Sequence, residues 1–136
     1  MVEHPELSGW SHVSLSVTDR DRSATFYADV FGFERFESIA DERFDEYVLL
    51  HRPSGMVLCL QQHHANAGEQ ADPARTGADH VAFRVATRAD LDVWAAVLDE
   101  LGIAYSSPVD KQYGAVLCLR DPDDFQLELF WREHHP

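Results

Sequence analysis

The chain has 136 residues and a formal net charge of −13, with 24 acidic residues against 11 Lys and Arg. Its hydrophobic content of 45% favours a globular fold, and its length fits one domain. An acidic surface repels phosphate backbones and anionic lipid headgroups, which argues against nucleic acid or a membrane surface as the partner. The first residues lack the basic and apolar regions of a secretory signal, and no apolar run is long enough to span a membrane. We therefore expect a cytoplasmic protein.

A short pattern near the N-terminus occurs again in the second half of the chain. Residues 12–17 and residues 80–85 both read His-Val-x-(Leu/Phe)-x-Val, and 68 residues separate His12 from His80. Alternation of apolar and other residues predicts a half-buried strand in each copy. Because the apolar side chains take one face, the two histidines lie on the opposite face, away from the hydrophobic core.

Each predicted strand is followed by a helix start and, later, by a helix stop. The segments Thr18–Asp21 and Thr87–Asp90 both have the Thr-x-x-Asp spacing of a capping box. Apolar residues then recur at helical spacing, more clearly in the second copy than in the first. Gly32 and Gly102 follow the apolar residues, as glycine commonly does at a helix C-terminus. The sequence therefore predicts one helix after each strand.

Two hairpins complete the pattern. Their turns contain Pro53 and Pro122, which are 69 residues apart, close to the offset between the histidines. Apolar strands flank each turn, at residues 47–50 and 56–60 and again at 116–119 and 125–130. The agreement across strand, helix start and turn indicates two structural repeats.

The repeats predict an α+β fold of two βαβββ modules in one domain, residues 1–136. Module one covers about 9–64 and module two about 79–132. The segment of about 65–78 is polar and contains Gly, Pro and Asn, so it is interpreted as a loop, either a lid or binding segment or a disordered linker.

The alternation of the strands predicts a metal site. In the last strand Glu128 points away from the face of its neighbouring leucines, as His12 and His80 do in theirs. If the modules pair about an approximate two-fold axis, these faces surround a common cavity. Two imidazoles and one carboxylate suit one divalent ion of Fe, Mn, Ni, Zn or Co, and they leave coordination positions for water and substrate. Taken alone, each histidine is more often a surface residue, and Glu128 is equally compatible with a solvated strand position.

The repeat also predicts a fourth candidate ligand. The residue 69 positions before Glu128 is Cys59, whose thiolate would serve as a ligand to a softer metal or as a substrate contact. The alternative is a position that takes no part in binding. Cys59 and Cys118 both lie in apolar runs, where a cysteine is usually a small reduced hydrophobic residue.

Further side chains on the predicted inner faces are candidates for substrate binding. Gln61 and Arg84 would orient a substrate oxygen or carboxylate, and Gln61 is equally well read as a spectator. Tyr47 is predicted on the open side of its strand. Tyr113 and Phe130 would line the cavity, although a tyrosine before glycine also suits packing at a strand end.

These motifs resemble those of the vicinal oxygen chelate superfamily, which includes glyoxalase I, extradiol dioxygenases, and fosfomycin and bleomycin resistance proteins. The resemblance covers about residues 9–132. It rests on the His-Val strands at 12–17 and 79–83, on Phe26-Tyr27 with Phe31-Gly32-Phe33, and on Asp-Pro-Asp at 121–123 followed by Leu-Glu-Leu at 127–129. It implies a curved eight-stranded mixed sheet around a cavity, a homodimer, and a metal held by His12, His80 and Glu128 that acts on a small substrate with vicinal oxygens.

The resemblance leaves two functions open. The first is a metal-dependent lyase, isomerase or dioxygenase. The second is a metal-independent protein that sequesters a drug or natural product, like the bleomycin resistance proteins, with Tyr47, Tyr113 and Phe130 lining its cleft. Glyoxalase I-like members have a carboxylate at the position of Cys59, so its absence argues against isomerisation of methylglyoxal.

Overall fold

The computed structural model describes residues 1–136, which divide into two compact units, Met1–Asn66 and Ala67–Pro136. The boundary falls inside the predicted loop. Each unit contains one strand, one helix and three further strands in that order. The prediction of an α+β fold built from two βαβββ modules is confirmed. The eight strands form two four-stranded sheets, one in each unit.

Unit 1 is a mixed sheet covered on one face by a helix. Its strand order is β1-β4-β3-β2, with β1 parallel to β4 and the other neighbours antiparallel. The helix packs against β3 and β4. The elements are β1 (Val13–Ser16), α1 (Arg20–Phe31), β2 (Glu34–Ala40), β3 (Phe44–His51) and β4 (Met56–His63).

Unit 2 repeats this arrangement. Its strand order is β5-β8-β7-β6, again with one parallel pair, β5 and β8. Its helix packs against β6, β7 and β8. The elements are β5 (His80–Arg84), α2 (Arg88–Leu101), β6 (Tyr105–Lys111), β7 (Gly114–Arg120) and β8 (Gln126–Trp131). Neither α1 nor α2 is long and apolar enough to span a membrane.

Each sheet buries its core between one face and the helix, so we call its other face the helix-free face. Alternation along the strands places the apolar residues on the helix-packed side, where burial removes them from water. In unit 1 these residues include Leu15, Tyr27, Leu49, Leu58 and Leu60. In unit 2 they include Leu91, Leu98, Leu117, Leu127 and Leu129.

The helix ends agree with the predictions at three of four points. Thr87 forms the predicted capping box with Asp90, and Gly32 and Gly102 adopt the left-handed conformation at φ 78° and 67°. The predicted box at Thr18 is wrong. The N-cap of α1 is Asp19. Its carboxylate accepts hydrogen bonds from the backbone N–H groups of residues 21 and 22. A carboxylate at this place also interacts favourably with the positive end of the helix dipole.

The hairpin of unit 1 has one more residue in its turn than the hairpin of unit 2. This extra residue changes which side chains of β3 lie on each face of the sheet. In unit 1 six residues separate the paired Leu50 and Val57, whereas in unit 2 five separate Arg120 and Gln126. The 69-residue offset therefore holds for β4 and β8 but becomes 70 for β3 and β7. Because side chains alternate between faces, a shift of one residue moves a side chain to the other side of the sheet. The prediction that Tyr47 lies on the open side is wrong for this reason.

Candidate metal centre

His80 and Glu128 lie together on the helix-free face of unit 2. The strands β5 and β8 pair in parallel register, with Ala82 opposite Glu128, so the histidine is one step along from the carboxylate on the same face. The Nε2 atom of His80 is 3.6 Å from Oε2 of Glu128. Two of the three predicted ligands are thus neighbours, with a nitrogen and an oxygen donor directed at the same place.

The residue before each histidine contacts the ring at Nδ1. The carboxylate of Asp79 lies 2.6 Å from Nδ1 of His80, and the hydroxyl of Ser11 lies 3.0 Å from Nδ1 of His12. A partner at Nδ1 leaves Nε2 available as the metal-binding nitrogen. A carboxylate behind a histidine also fixes the ring and raises its basicity, an arrangement common around metal ligands.

Two further side chains contact the other carboxylate oxygen of Glu128, Oε1. The side-chain amide of Gln126 donates to Oε1 at 2.9 Å, and the Sγ of Cys118 lies 3.9 Å from the same atom. Burial and then the charge of Glu128 raise the pKa of the Cys118 thiol. The thiol is therefore a weak donor to the carboxylate, and Oε2 is the oxygen left on the side of His80.

The matching face of unit 1 has a different set of polar groups. Cys59 occupies the position of Glu128 and is 5% exposed. Glu46, which is 7% exposed, lies opposite Gln61 in the β3–β4 pair and accepts a hydrogen bond from its side-chain amide at 2.6 Å. Burial, followed by the charge of Glu46, raises the pKa of the Cys59 thiol to about 11, so this thiol is protonated at neutral pH. Its role as a ligand or substrate contact stays a prediction.

The predicted substrate residues separate into two groups. Tyr47 is wrongly assigned: it is 7% exposed on the helix-packed face, its hydroxyl donates to Asp21 at 2.7 Å, and the guanidinium groups of Arg20 and Arg35 lie 4.1 Å and 3.7 Å from its ring centroid. The remaining candidates lie on or over a helix-free face. These are Gln61 in unit 1 and Arg84, Tyr113 and Phe130 in unit 2.

Two candidate functional residues were not predicted from the sequence. Glu46 was missed because the longer turn of unit 1 displaces β3 by one residue relative to its repeat. Asp79 was missed although a signal existed, since a polar residue precedes the histidine in both copies.

The three-ligand site as a whole stays a prediction. His12 belongs to unit 1, where it is exposed immediately before β1, while His80 and Glu128 belong to unit 2. Within either unit taken by itself, no three His, Cys, Asp or Glu side chains are grouped to hold a metal ion.

Comparison with known proteins agrees with this fold and pattern. Residues 9–129 match the Glyoxalase/Bleomycin resistance protein/Dioxygenase superfamily. The chain belongs to this superfamily. A glyoxylase/bleomycin resistance protein/dioxygenase domain from Frankia sp. EAN1pec is similar in structure, with 30% identity, a TM-score of 0.87, and coverage of 94% of this chain and 100% of that chain. No curated protein matches the chain.

Two solved structures of lower identity show the same fold. The glyoxalase family protein from Enterococcus faecalis has 20% identity and a TM-score of 0.76, over 90% of this chain and 97% of its own. The fosfomycin resistance protein FosX from Listeria monocytogenes has 22% identity and a TM-score of 0.70, over 92% of this chain and 94% of its own. One FosX structure contains Mn(II) with 1S,2S-dihydroxypropylphosphonic acid.

The donors present in this superfamily member fit a divalent ion. His80 offers an imidazole nitrogen with a carboxylate behind it, and Glu128 offers one oxygen whose partner oxygen is already held by an amide. Imidazole and carboxylate together suit first-row divalent metals. No Lys or Arg of the protein pairs with Glu128.

Proposed function

We propose that this protein is a divalent-metal-dependent enzyme that acts on a small substrate with adjacent oxygens, as a lyase, isomerase or dioxygenase. His12, His80 and Glu128 are its metal ligands, and the ion is Fe, Mn, Ni, Zn or Co. The observation that carries the proposal is the chain of contacts from Asp79 through His80 to Glu128, at 2.6 Å and 3.6 Å. A purely structural ion pair has no need of a second carboxylate behind the imidazole.

The bound metal would act as a Lewis acid that stabilises negative charge on the substrate oxygens. The protein supplies the remaining groups. Asp79 and Gln126 hold the imidazole of His80 and the carboxylate of Glu128 in place. Glu46 is the candidate general base, because it is a buried carboxylate fixed by the amide of Gln61.

Calorimetric titration of metal-free, untagged protein with Mn²⁺ and Zn²⁺ tests the ligand set. We expect about one ion per chain. His12→Ala, His80→Ala and Glu128→Gln should each weaken binding by more than about 100-fold, since loss of outer contacts alone costs about 10- to 100-fold. His64→Ala is the matched control, because His64 is an exposed histidine 3.4 Å from Asp45. Unchanged titrations in all three ligand variants would end the proposal.

The sequestration alternative is favoured by one observation, the aromatic pair of the exposed Tyr113 and the half-buried Phe130 in unit 2. Their rings stack with centroids 5.9 Å apart. A chelator separates the two functions: it should abolish turnover by the enzyme but leave the affinity of a sequestering protein for its ligand unchanged.

The proposal includes a homodimer. Leu7 and Trp10 are each 95% exposed, and β1 has a hydrogen-bonded neighbour on one side. A second copy of the chain would bury such apolar side chains, and a buried tryptophan is among the residues that contribute most to association. Light scattering should give twice the chain mass of 15.4 kDa, and Trp10→Ser should shift the particle towards the single-chain mass.

A further inference from the structure

The helix-free face of unit 2 is cationic, although the chain as a whole has a net charge of −13. Glu128 is the one carboxylate among the strand residues of this face. Four of the 11 Lys and Arg of the chain lie on it: Arg84 on β5, Lys111 on β6, Arg120 on β7 and Arg132 directly after β8. A local field of this sign attracts anions to a protein that otherwise repels them.

Arg84 is one of the cations of this face that no carboxylate of the protein neutralises. It is exposed, and its guanidinium forms neither a hydrogen bond nor an ion pair. Arg88, only four residues later, instead pairs with Asp110 at 2.8 Å. Arg84 is opposite Phe130 in the β5–β8 register, two residues along from the level of Glu128. Two residues of strand correspond to roughly 7 Å, a distance that a one-ring molecule spans.

A flat aromatic surface begins at Phe130, the residue opposite Arg84 in the β5–β8 register. The rings of Phe130 and Tyr113 are nearly parallel, at 9°, and Tyr113 is 51% exposed. Arg132 lies 5.8 Å from the centroid of the Tyr113 ring. The turn after Tyr113 brings the backbones of β7 and β8 close together, because a side chain at Gly114 would collide with the carbonyl oxygen of Trp131.

A groove lies beside Tyr113. Its volume is about 360 Å³, and its lining includes Lys111 and Arg132 together with the carboxylates of Asp110 and Glu133. This volume is large enough for a small organic ligand, and the balance of charges on its walls leaves recognition of an anion to Arg84.

We propose that the helix-free face of unit 2 selects an aromatic carboxylate, and that Arg84 is the residue that recognises its carboxylate. A guanidinium binds a carboxylate through two parallel hydrogen bonds, and an exposed ring stacks on a planar ligand. This inference rests on the proposed function, because His80 and Glu128 would face the adjacent oxygens at the other end of the same molecule. It deepens that function by naming the class of substrate.

The test compares two catechols that differ in charge, 3,4-dihydroxybenzoate and its neutral amide. Their affinities are measured calorimetrically without oxygen, on full-length protein, once with a chelator and once with Mn²⁺. The wild type should prefer the acid by about tenfold or more, since a hydrogen bond to a charged group contributes this much. Arg84→Gln should bind both compounds equally. Arg88→Gln, which removes a guanidinium that is already paired, should keep the preference.

The outcomes separate this inference from the proposed function. A preference for the acid that persists under chelation and disappears in Arg84→Gln supports the inference even if the metal ligands are other residues. Equal affinities in the wild type, no binding of either compound, or a preference that survives Arg84→Gln would overturn it. Phe130→Leu adds a second measure, because it should weaken both compounds alike and leave their ratio unchanged.

Discussion

The two units have the same backbone plan and the same kind of core, yet their helix-free faces carry different chemistry. On the helix-packed side Leu60 and Leu129 occupy equivalent positions and are 0% and 2% exposed. On the other side Cys59 stands where unit 2 has Glu128, and Gln61 where it has Phe130. Packing against a helix tolerates few side chains, whereas the opposite face is open to replacement.

The charges of the two faces show how far this divergence has gone. The strands of unit 1 place acidic residues on the helix-free face, at Glu34, Glu37 and Glu46, and no Lys or Arg. The same face of unit 2 has four cations and one carboxylate. Two units of the same plan thus present different groups, a candidate base in unit 1 and, in unit 2, a candidate metal pair beside the proposed anion-binding residue.

The largest expected effect tests whether the two cores are equivalent. Leu60→Ala and Leu129→Ala should each lower the free energy of unfolding by about 3 kcal/mol, because each leaves a cavity among buried side chains. Urea denaturation measures both. Val93→Ala, at a helix position that is 61% exposed, should change stability by less than about 0.5 kcal/mol. If one leucine variant lost as little stability as Val93→Ala, the two cores would not be equivalent.

The buried carboxylate of unit 1 gives the next effect. Gln61→Leu removes the donor 2.6 Å from Glu46 and should cost about 2 kcal/mol, since a buried charge loses its hydrogen bond. The double variant Glu46→Leu with Gln61→Leu should recover part of this loss. If Gln61→Leu is as stable as the wild type, the amide does not hold the carboxylate.

The side chains that contact Nδ1 of the two histidines should contribute unequally to metal affinity. Asp79→Asn should weaken Mn²⁺ binding by about 10- to 100-fold, because it removes the charge 2.6 Å from Nδ1 of His80. Ser11→Ala removes a neutral hydroxyl from His12 and should weaken binding by less. Titration of both variants measures the difference. A larger loss of affinity in Ser11→Ala than in Asp79→Asn would contradict the expected ranking.

The smallest effect concerns the pH dependence of stability. The folded state raises the pKa of the Cys59 thiol from 9.0 to about 11 and so favours its protonated form. Its contribution to stability is complete below pH about 9 and is lost as the pH rises towards 11, where the unfolded thiol is already ionised. The wild type should therefore lose more stability than Cys59→Ala between pH 8 and pH 10.5. Parallel pH profiles would contradict a raised pKa.

The sequence predicted the parts of the fold that depend on local patterns. Alternation identified β1 and β5, and glycines at φ 78° and 67° ended both helices as expected. The faces of His80 and Glu128 followed from the same alternation. The position of Tyr47 did not, because a single extra residue in the first turn moved it to the other face. That insertion is invisible when the turns are aligned by their prolines.

The candidate site was only partly predictable for a similar reason. The identity of the donors could be deduced from strand phase, but the roles of Glu46 and Asp79 depend on register and on side-chain contacts. The unpaired state of Arg84 could not be predicted either, because it requires knowledge of where every nearby carboxylate lies. Packing fixes these features, and the periodicity of the sequence does not encode them.

Electron paramagnetic resonance of the Mn²⁺ complex tests the central claim most directly. With ¹⁵N-labelled histidine, the account predicts couplings from two imidazole nitrogens, one of which disappears in His12→Ala and the other in His80→Ala. Glu128→Gln should lower the affinity for the ion itself. A bound ion without nitrogen couplings, or two couplings that remain in either histidine variant, would contradict the assignment of these residues as ligands.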